Sequence, residues 1–114
     1  MAVNVNNIII YTGTNFEQSF FLEDNDSLSP LDLTSYSGCA KIKQNESSLT
    51  EISFNVTFPN RLNGQVTITL TANQTNDLKP GTYVYDFILR DSNSQKLTKI
   101  SQGKVFVKKS VTRI

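Results

Sequence analysis

Residues 78–91 read LKPGTYVYDFILRD, in which a Pro-Gly turn leads directly into an alternating pattern of apolar and polar side chains. Side chains alternate across a β-strand, so residues two apart along the chain share one face. The predicted inward face has four large side chains: Tyr83, Tyr85, Phe87 and Leu89. The pattern therefore predicts a central strand whose inward side chains are hidden between two stacked layers.

Similar short runs recur about every ten to fifteen residues, which is the spacing typical of a β-sandwich or barrel. One of them alternates Val66, Ile68 and Leu70 with threonines, and we expect the threonine face to be solvated. Residues 72–78 lack alternation and are predicted to form one short helical turn. The predicted strands span residues 8–11, 15–23, 37–44, 51–58, 65–71, 82–91, 96–101 and 103–107.

The length of 114 residues fits one domain with one core. We therefore predict a single β-sandwich domain over residues 1–114, with residues 1–7 as a candidate flexible arm. Eleven basic and ten acidic residues give a net charge of +1, which argues against a nucleic-acid partner. No apolar run is long enough to cross a bilayer, so a membrane partner is not expected either.

The residue types argue against cofactor and metal chemistry. Histidine is absent and the one cysteine is Cys39, which excludes the usual zinc sites, cysteine–histidine nucleophiles and an internal disulfide. Asp24, Asp26 and Asp32 lie in one loop, but they lack the glycine and the bidentate glutamate of a helix-flanked calcium loop. We predict no metal site, no cofactor and no catalytic residue.

Two pairs of carboxylates have the residue type that glycoside hydrolysis uses, Glu17 with Glu23 and Asp86 with Asp91. The sequence does not place either pair in a cleft at the required separation. The chain also lacks histidine, tryptophan and a glycine-rich phosphate loop. We therefore expect a protein that is not an enzyme.

The approach to the long strand has a second distinctive feature. The pattern Leu78-x-Pro80-Gly81-x-Tyr83 resembles the approach to the sixth strand of immunoglobulin-like and fibronectin type III domains, where a corner tyrosine donates its hydroxyl to upstream backbone. Tyr83 is our candidate for this structural tyrosine corner. The predicted fold class is all-β, an immunoglobulin-like antiparallel β-sandwich of seven to eight strands with one short helical turn.

Two groups of apolar residues are candidates for contacts with a neighbouring chain. Val84 and Ile88 share the second face of the long strand with Asp86, whose carboxylate would be costly to bury without a partner. If a neighbour covers this face, Val84 and Ile88 belong to an interface. The other group follows an asparagine-rich start and is predicted to add to a neighbour's sheet: Ile8, Ile9 and Ile10.

Six short motifs, spread over nearly the whole chain, together resemble a family of small virion proteins of tailed bacteriophages. The resemblance is to the N-terminal module of phage baseplate upper proteins and to related stand-alone tail proteins, and LDLT (31–34) is its most distinctive element. The chain departs from the family by ending at Ile114, without the longer platform region. The motifs are FFLED (20–24), PLDLT (30–34), CAKIK (39–43), GQVTI (64–68), LKPGTYVYD (78–86) and GKVFV (103–107).

The resemblance implies a β-sandwich that docks onto a tail or baseplate by shape and has no enzymatic activity. We therefore expect a structural protein of the virion that acts as an adaptor or accessory subunit of the tail or baseplate. It is expected to be assembled in the host cytoplasm and to be present in multiple copies in a symmetric assembly with other virion structural proteins. A capsid decoration protein is the first alternative. The second is a carbohydrate-binding module that uses exposed tyrosines as a stacking platform.

Overall fold

The computed structural model describes residues 4–23, 29–45 and 51–112, which form two packed β-sheets. These ranges contain nine strands, one 3-10 turn at Arg61–Asn63 and one short helix, α1, at Ala72–Asn76. The prediction of an all-β protein with one short helical turn after residue 71 is confirmed. The strands are β1 Asn4–Val5, β2 Ile8–Tyr11, β3 Phe16–Phe21, β4 Tyr36–Lys43, β5 Glu51–Ser53, β6 Asn55–Asn60, β7 Gln65–Leu70, β8 Gly81–Asp91 and β9 Leu97–Lys108.

The larger sheet has the strand order β1-β9-β8-β4-β5, and β2 also pairs with β9. The smaller sheet has the order β3-β7-β6. Both β1 and β2 run parallel to β9, so the prediction of a wholly antiparallel sandwich is wrong at the N-terminal strands. The physical reason is that no hairpin connects β2 to β9, and strands far apart in the chain are free to pair in parallel.

The core lies between the sheets, and the inward face of β8 is its centre. Tyr85, Phe87 and Leu89 are buried as predicted, whereas Tyr83 near the start of the strand is half-buried. The ring of Phe87 packs edge to face against Phe20 of the smaller sheet, with ring centroids 5.5 Å apart. The other buried apolar side chains are Ile8, Ile10, Leu22, Leu33, Ala40, Ile42, Phe54, Val66, Ile68, Leu70, Leu78, Ile100, Val105 and Val107.

The single strand predicted over residues 51–58 is two strands in different sheets. β5 pairs with β4 in the larger sheet, and β6 pairs with β7 in the smaller one. Between them Phe54 is buried and donates its backbone N–H to the carbonyl of Ala40 at 2.9 Å. Alternation reports which side chains point inward but not which sheet the strand joins. The alternating pattern therefore does not show where the chain passes from one sheet to the other.

Conversely, the two strands predicted over residues 96–101 and 103–107 are one strand, β9. Its pairing with β8 changes register at Ile100, so that Ile100 and Ser101 are consecutive and both buried. Such a bulge adds one residue to one strand and breaks the period of two. Because of this break, the sequence pattern predicts two strands where the structure has one.

The threonine face of β7 is not solvated at its centre. Thr67 is buried, and its hydroxyl shares a hydrogen bond of 2.9 Å with the hydroxyl of Ser19 on β3. Because β7 is the middle strand of the smaller sheet, its side chains have neighbours on both sides. At the end of this strand Thr71 and Gln74 form a reciprocal capping box that begins α1.

The PLDLT connector between β3 and β4 is fixed by contacts within the chain. The guanidinium of Arg61 donates to the carbonyls of Leu33 and Tyr36, both at 2.8 Å, and the Leu33 side chain is buried. Thr34 donates to the Asp32 carboxylate from both its backbone N–H and its hydroxyl, which holds the Asp32 pKa below its usual range. The connector therefore has a structural role.

Candidate functional site

Tyr83 makes the contact that a tyrosine corner requires. Its hydroxyl donates to the carbonyl of Lys79, four residues upstream, at 2.7 Å. The ring is half-buried, so the bond closes the turn that leads into β8 without removing the hydroxyl from all solvent. The structure gives Tyr83 this bond to the backbone rather than a place in a ligand site.

The three N-terminal isoleucines do not form the free strand that was expected. β2 pairs with β9 of the same chain, with Ile8 opposite Val105 and Ile10 opposite Val107. Ile8 and Ile10 are only 3% and 1% exposed, because they fill one end of the chain's own core. Their assignment to an interface is therefore corrected, and Ile9 alone of the three points outward, with 49% exposure.

The segment before β2 is also held by the domain. Tyr85 donates its hydroxyl to the carbonyl of Asn6 at 2.6 Å, and its oxygen lies 2.9 Å from the hydroxyl of Ser101. The backbone N–H of Lys104 donates to the side chain of Asn7 at 3.0 Å. The flexible arm predicted over residues 1–7 is therefore wrong for residues 4–7, and residues 1–3 lie outside the described part of the chain.

Gly103 shows how closely the N-terminal segment approaches β9. A Cβ atom at this position would lie 2.5 Å from the carbonyl oxygen of Asn6, a distance that real Cβ atoms do not reach. Only glycine lets the two backbones meet here. The GKVFV motif thus includes a residue that positions β1 and β2 on the edge of the larger sheet.

The outer face, which we define as the side of the larger sheet that points away from the core, contains the other predicted interface residues. Val84, Asp86 and Ile88 of β8 alternate with the buried core residues and are all half-buried. The carboxylate of Asp86 has a partner, the ammonium of Lys99 on β9, at 3.5 Å. Asp86 is therefore compatible with a face that Val84 and Ile88 make partly apolar.

Further apolar side chains extend the outer face toward the N-terminal edge. Val5 of β1 and Tyr11 of β2 are 75% and 50% exposed. Ile9 lies opposite Phe106 of β9, which is half-buried. These side chains are not part of the buried core. Together with Val84 they form an apolar strip across β1, β2, β9 and β8.

Lysines surround this strip. Lys41 of β4 lies 2.5 Å from a carboxylate oxygen of Glu51 on β5, and Lys43 lies 3.8 Å from the other oxygen. The hydrogen bond with Glu51 raises the pKa of Lys41, and it lowers the pKa of Glu51. Lys104 of β9 makes no ion pair with any residue that the structure describes.

Three residues of the strip, Val5, Val84 and Phe106, line one concavity of about 870 Å³ together with the lysines. We call it the lysine groove. It combines an apolar floor with four ammonium groups and two carboxylates. Its residues used below are Lys41, Lys43, Val84, Lys99, Lys104 and Phe106.

The candidate carboxylate pairs do not converge. Asp86 and Asp91 are five residues apart on β8, so their side chains point to opposite faces of the sheet. Asp91 instead accepts hydrogen bonds from the backbone N–H of Asn93 and from the hydroxyl of Ser35, and the first of these is the main cause of its lowered pKa. Glu17 and Glu23 are both exposed.

Two further features of the described residues bear on the chemistry. Within residues 4–23, 29–45 and 51–112, no three Cys, Asp or Glu side chains are grouped as a metal site would require, while Asp24 and Asp26 lie outside these ranges. In the same ranges no helix has the length and apolar character needed to span a bilayer.

A second concavity, of about 950 Å³, is lined by Tyr11, Asn73 and Asn76 among others.

The sequence indicated only part of this site. Alternation placed Val84 and Ile88 on the second face of β8. It did not reveal that β9 brings Lys104 beside Val84, because the bulge in β9 hides the register. The lysine groove therefore becomes visible only when the strand order is known.

No family model and no curated protein matches the sequence. The fold is similar to that of the N-terminal domain of phage TP901-1 ORF48, with 11% identity, a TM-score of 0.51 and coverage of 90% of this chain and 85% of that one. A family 123 glycoside hydrolase from Clostridium perfringens is 12% identical, with a TM-score of 0.50 and coverage of 100% of this chain and 24% of that one.

InlP from Listeria monocytogenes is 13% identical, with a TM-score of 0.49 and coverage of 90% of this chain and 26% of that one. This chain thus spans about a quarter of the InlP and hydrolase chains but most of the phage domain. At such low identities the likeness concerns the fold alone.

Proposed function

We propose that this protein is a non-enzymatic structural protein of a phage particle, an adaptor or accessory subunit of the tail or baseplate that docks onto other virion proteins. The observation that supports this most is the outer face, where Val5, Ile9 and Tyr11 stand exposed beside half-buried Val84 and Phe106. Contiguous apolar side chains on the surface of a folded domain mark sites of protein contact.

The setting is inferred from the fold. A phage protein domain of nearly the same extent has a similar fold, and the sequence motifs resemble small virion proteins of tailed phages. In this proposal the protein is present in several copies in a symmetric assembly, is assembled in the host cytoplasm, and contacts neither nucleic acid nor membrane. The small net charge of +1 fits a surface without long-range attraction to either.

We also infer that the sandwich is immunoglobulin-like. The smaller sheet β3-β7-β6 and the larger sheet built around β9-β8-β4 follow the division of strands between two sheets in that architecture. The bond from Tyr83 to the Lys79 carbonyl supplies the tyrosine corner at the start of the expected strand. A fold of this kind presents both a sheet face and its edges to neighbours.

Two alternatives remain as competing proposals. A capsid decoration protein would use the same outer face, so only its location in the particle distinguishes it. A carbohydrate-binding module is favoured by one observation: the exposed ring of Tyr11 lies at the second concavity together with the amides of Asn73 and Asn76. An aromatic face with nearby amides suits a sugar, which has both apolar and hydroxyl surfaces.

The proposal is tested by locating the protein. Epitope-tagged protein is expressed during phage production, particles are purified by density gradient, and antibody-coupled gold is imaged on them. Gold at the tail or baseplate supports the proposal. Gold on the capsid favours a decoration protein, and absence from particles together with binding on a glycan array favours the carbohydrate-binding module, so either result overturns it.

A further inference from the structure

We propose that the partner of the outer face is an acidic, extended segment of another protein, which crosses the lysine groove with carboxylates on Lys43 and Lys104 and an apolar side chain on Val84. This inference rests on the proposed docking function and adds the chemistry of the partner to it. Three features of the groove lead to it: the register of its strands, its charge, and the apolar side chain between the lysines.

The register places these three residues in one row across the sheet. Lys43 of β4 is opposite Val84 of β8, and Val84 is opposite Lys104 of β9. Neighbouring strands are about 4.8 Å apart, so the Cα atoms of the two lysines are separated by about 10 Å. In an extended segment, side chains on one face repeat about every 6.8 Å, so an apolar side chain over Val84 has a carboxylate about 6.8 Å away on each side. These two carboxylates are about 14 Å apart, and the flexible lysine side chains span the difference of about 4 Å.

The charge of the groove is not balanced from within. Glu51 pairs with both Lys41 and Lys43, and Asp86 pairs with Lys99, so the described residues that line the groove include two more positive than negative side chains. The surplus is greatest at Lys104, which has no ion pair among the described residues. Ion pairs exposed to solvent contribute little to stability, so an incoming carboxylate exchanges with Glu51 at little cost.

A second copy of this chain is a poor occupant. If two outer faces met about a two-fold axis, the surplus of positive charge in one groove would be brought against the same surplus in the other, because such an interface uses the same patch on both partners. Like charges brought together in an interface are strongly unfavourable. The groove therefore favours a different chain with the opposite charge.

Nucleic acid fits the groove less well than a protein segment. Asp86 lies between Lys41 and Gln102 in the next row of the sheet, so a carboxylate stands where a phosphate chain would pass. The apolar side chains of Val84 and Phe106 have no counterpart in a phosphate backbone. They do match an extended acidic segment that has an apolar side chain between two carboxylates on the same face.

The test uses the whole protein in assembling particles. Wild-type chain competes for incorporation with the groove variant Lys43→Ser/Lys104→Ser, and in parallel with the control variant Lys96→Ser/Lys109→Ser, which removes the same charge from exposed positions outside the groove. Two partly exposed ion pairs are together worth about one factor of ten in affinity. We expect the groove variant to be under-represented in particles by about tenfold and the control to match wild type.

The chemical class of the partner is identified by treating purified particles with a carbodiimide. This reagent forms an amide bond between a lysine amine and a carboxyl group in contact with it. Mass spectrometry that finds Lys43 or Lys104 joined to Asp or Glu of another virion protein supports the inference. Links only to a second copy of this chain, or release of the protein by nuclease without any link, overturn it in favour of those occupants. Thermal melts of both variants establish that each is folded.

The experiment distinguishes failure of the proposed docking function from failure of the proposed acidic partner. If wild-type protein is absent from particles, the proposed function is wrong. If wild-type protein is incorporated but the groove variant competes equally well, the docking function stands and the acidic segment is wrong.

Discussion

Replacing Tyr85 with Phe tests how the N-terminal segment is held on the sandwich. The ring of Tyr85 is buried, and its hydroxyl links Asn6 at 2.6 Å with Ser101 at 2.9 Å. The substitution keeps the ring and removes one oxygen. Its effect on the free energy of unfolding therefore measures these two hydrogen bonds.

The magnitude follows from the groups left behind. Without the phenol, the carbonyl of Asn6 and the buried hydroxyl of Ser101 each lose a partner, and leaving buried polar groups unpaired costs about 2 kcal/mol in total. The entropy of unfolding for 114 residues is about 240 cal/mol/K, so the melting temperature should fall by about 8 °C. The measurement is a thermal melt at pH 7 followed by circular dichroism.

The pH dependence gives the same prediction an independent check. Burial raises the pKa of Tyr85 above its ordinary value of 10.0. Above about pH 10 the unfolded chain loses this proton while the folded chain keeps it, so the wild type loses stability as pH rises through that range. The Phe variant has no such proton. The difference in melting temperature between the two proteins should therefore be full at pH 7 and shrink above about pH 10.

Two results would refute this reasoning. A variant that melts within about 2 °C of wild type at pH 7 would show that the hydrogen bonds of Tyr85 do not hold the N-terminal segment. A difference that stays constant from neutral pH to about pH 11 would show that the phenol is not kept protonated by burial.

Three further substitutions test the fold and its surface. Tyr83→Phe removes one partly exposed bond and should cost about 1 kcal/mol, and an unchanged urea midpoint would contradict the tyrosine corner. Gly103→Ala would bring a Cβ atom within 2.5 Å of a carbonyl of the N-terminal segment. It should speed hydrogen exchange at the Ile10 amide, and unchanged exchange would contradict the close approach. Glu51→Gln removes a carboxylate whose pKa is lowered by Lys41, so its stabilising effect exists above the unfolded pKa and is lost as pH falls through the folded one. The small difference in stability from wild type at pH 7 should shrink as the Glu51 carboxylate becomes protonated at acidic pH, and one that stayed constant would contradict the ion pair.

The alternating pattern was sufficient to predict which side chains point into the core, but not which sheet each strand joins. The inward side chains of β8 at Tyr85, Phe87 and Leu89 were predictable because burial of one face requires a period of two. Assignment of β5 and β6 to different sheets was not, since Ile52 and Phe54 continue one period through the change.

The residues of the candidate site could likewise be predicted only in part. Val84 and Ile88 were identified because their strand is long and regular. Ile8 and Ile10 were misassigned because an apolar run looks the same whether it pairs with its own chain or with a neighbour. The position of Lys104 depends on the bulge in β9, which is a property of the pairing and has no signature in residue type.

Whether a partner covers the outer face in the particle can be measured at Cys39. It is the chain's one cysteine, it is exposed, and it lies opposite Ile88 on the outer face. The measurement is the fraction of this thiol that reacts with a maleimide in free protein and in intact particles.

As a control, Cys39→Ser/Thr57→Cys moves the thiol to an exposed position on the smaller sheet. We expect full reaction at Cys39 in free protein and protection in particles, with the thiol at position 57 reactive in both. Equal reactivity of Cys39 in free protein and in particles that contain it would contradict a covered outer face.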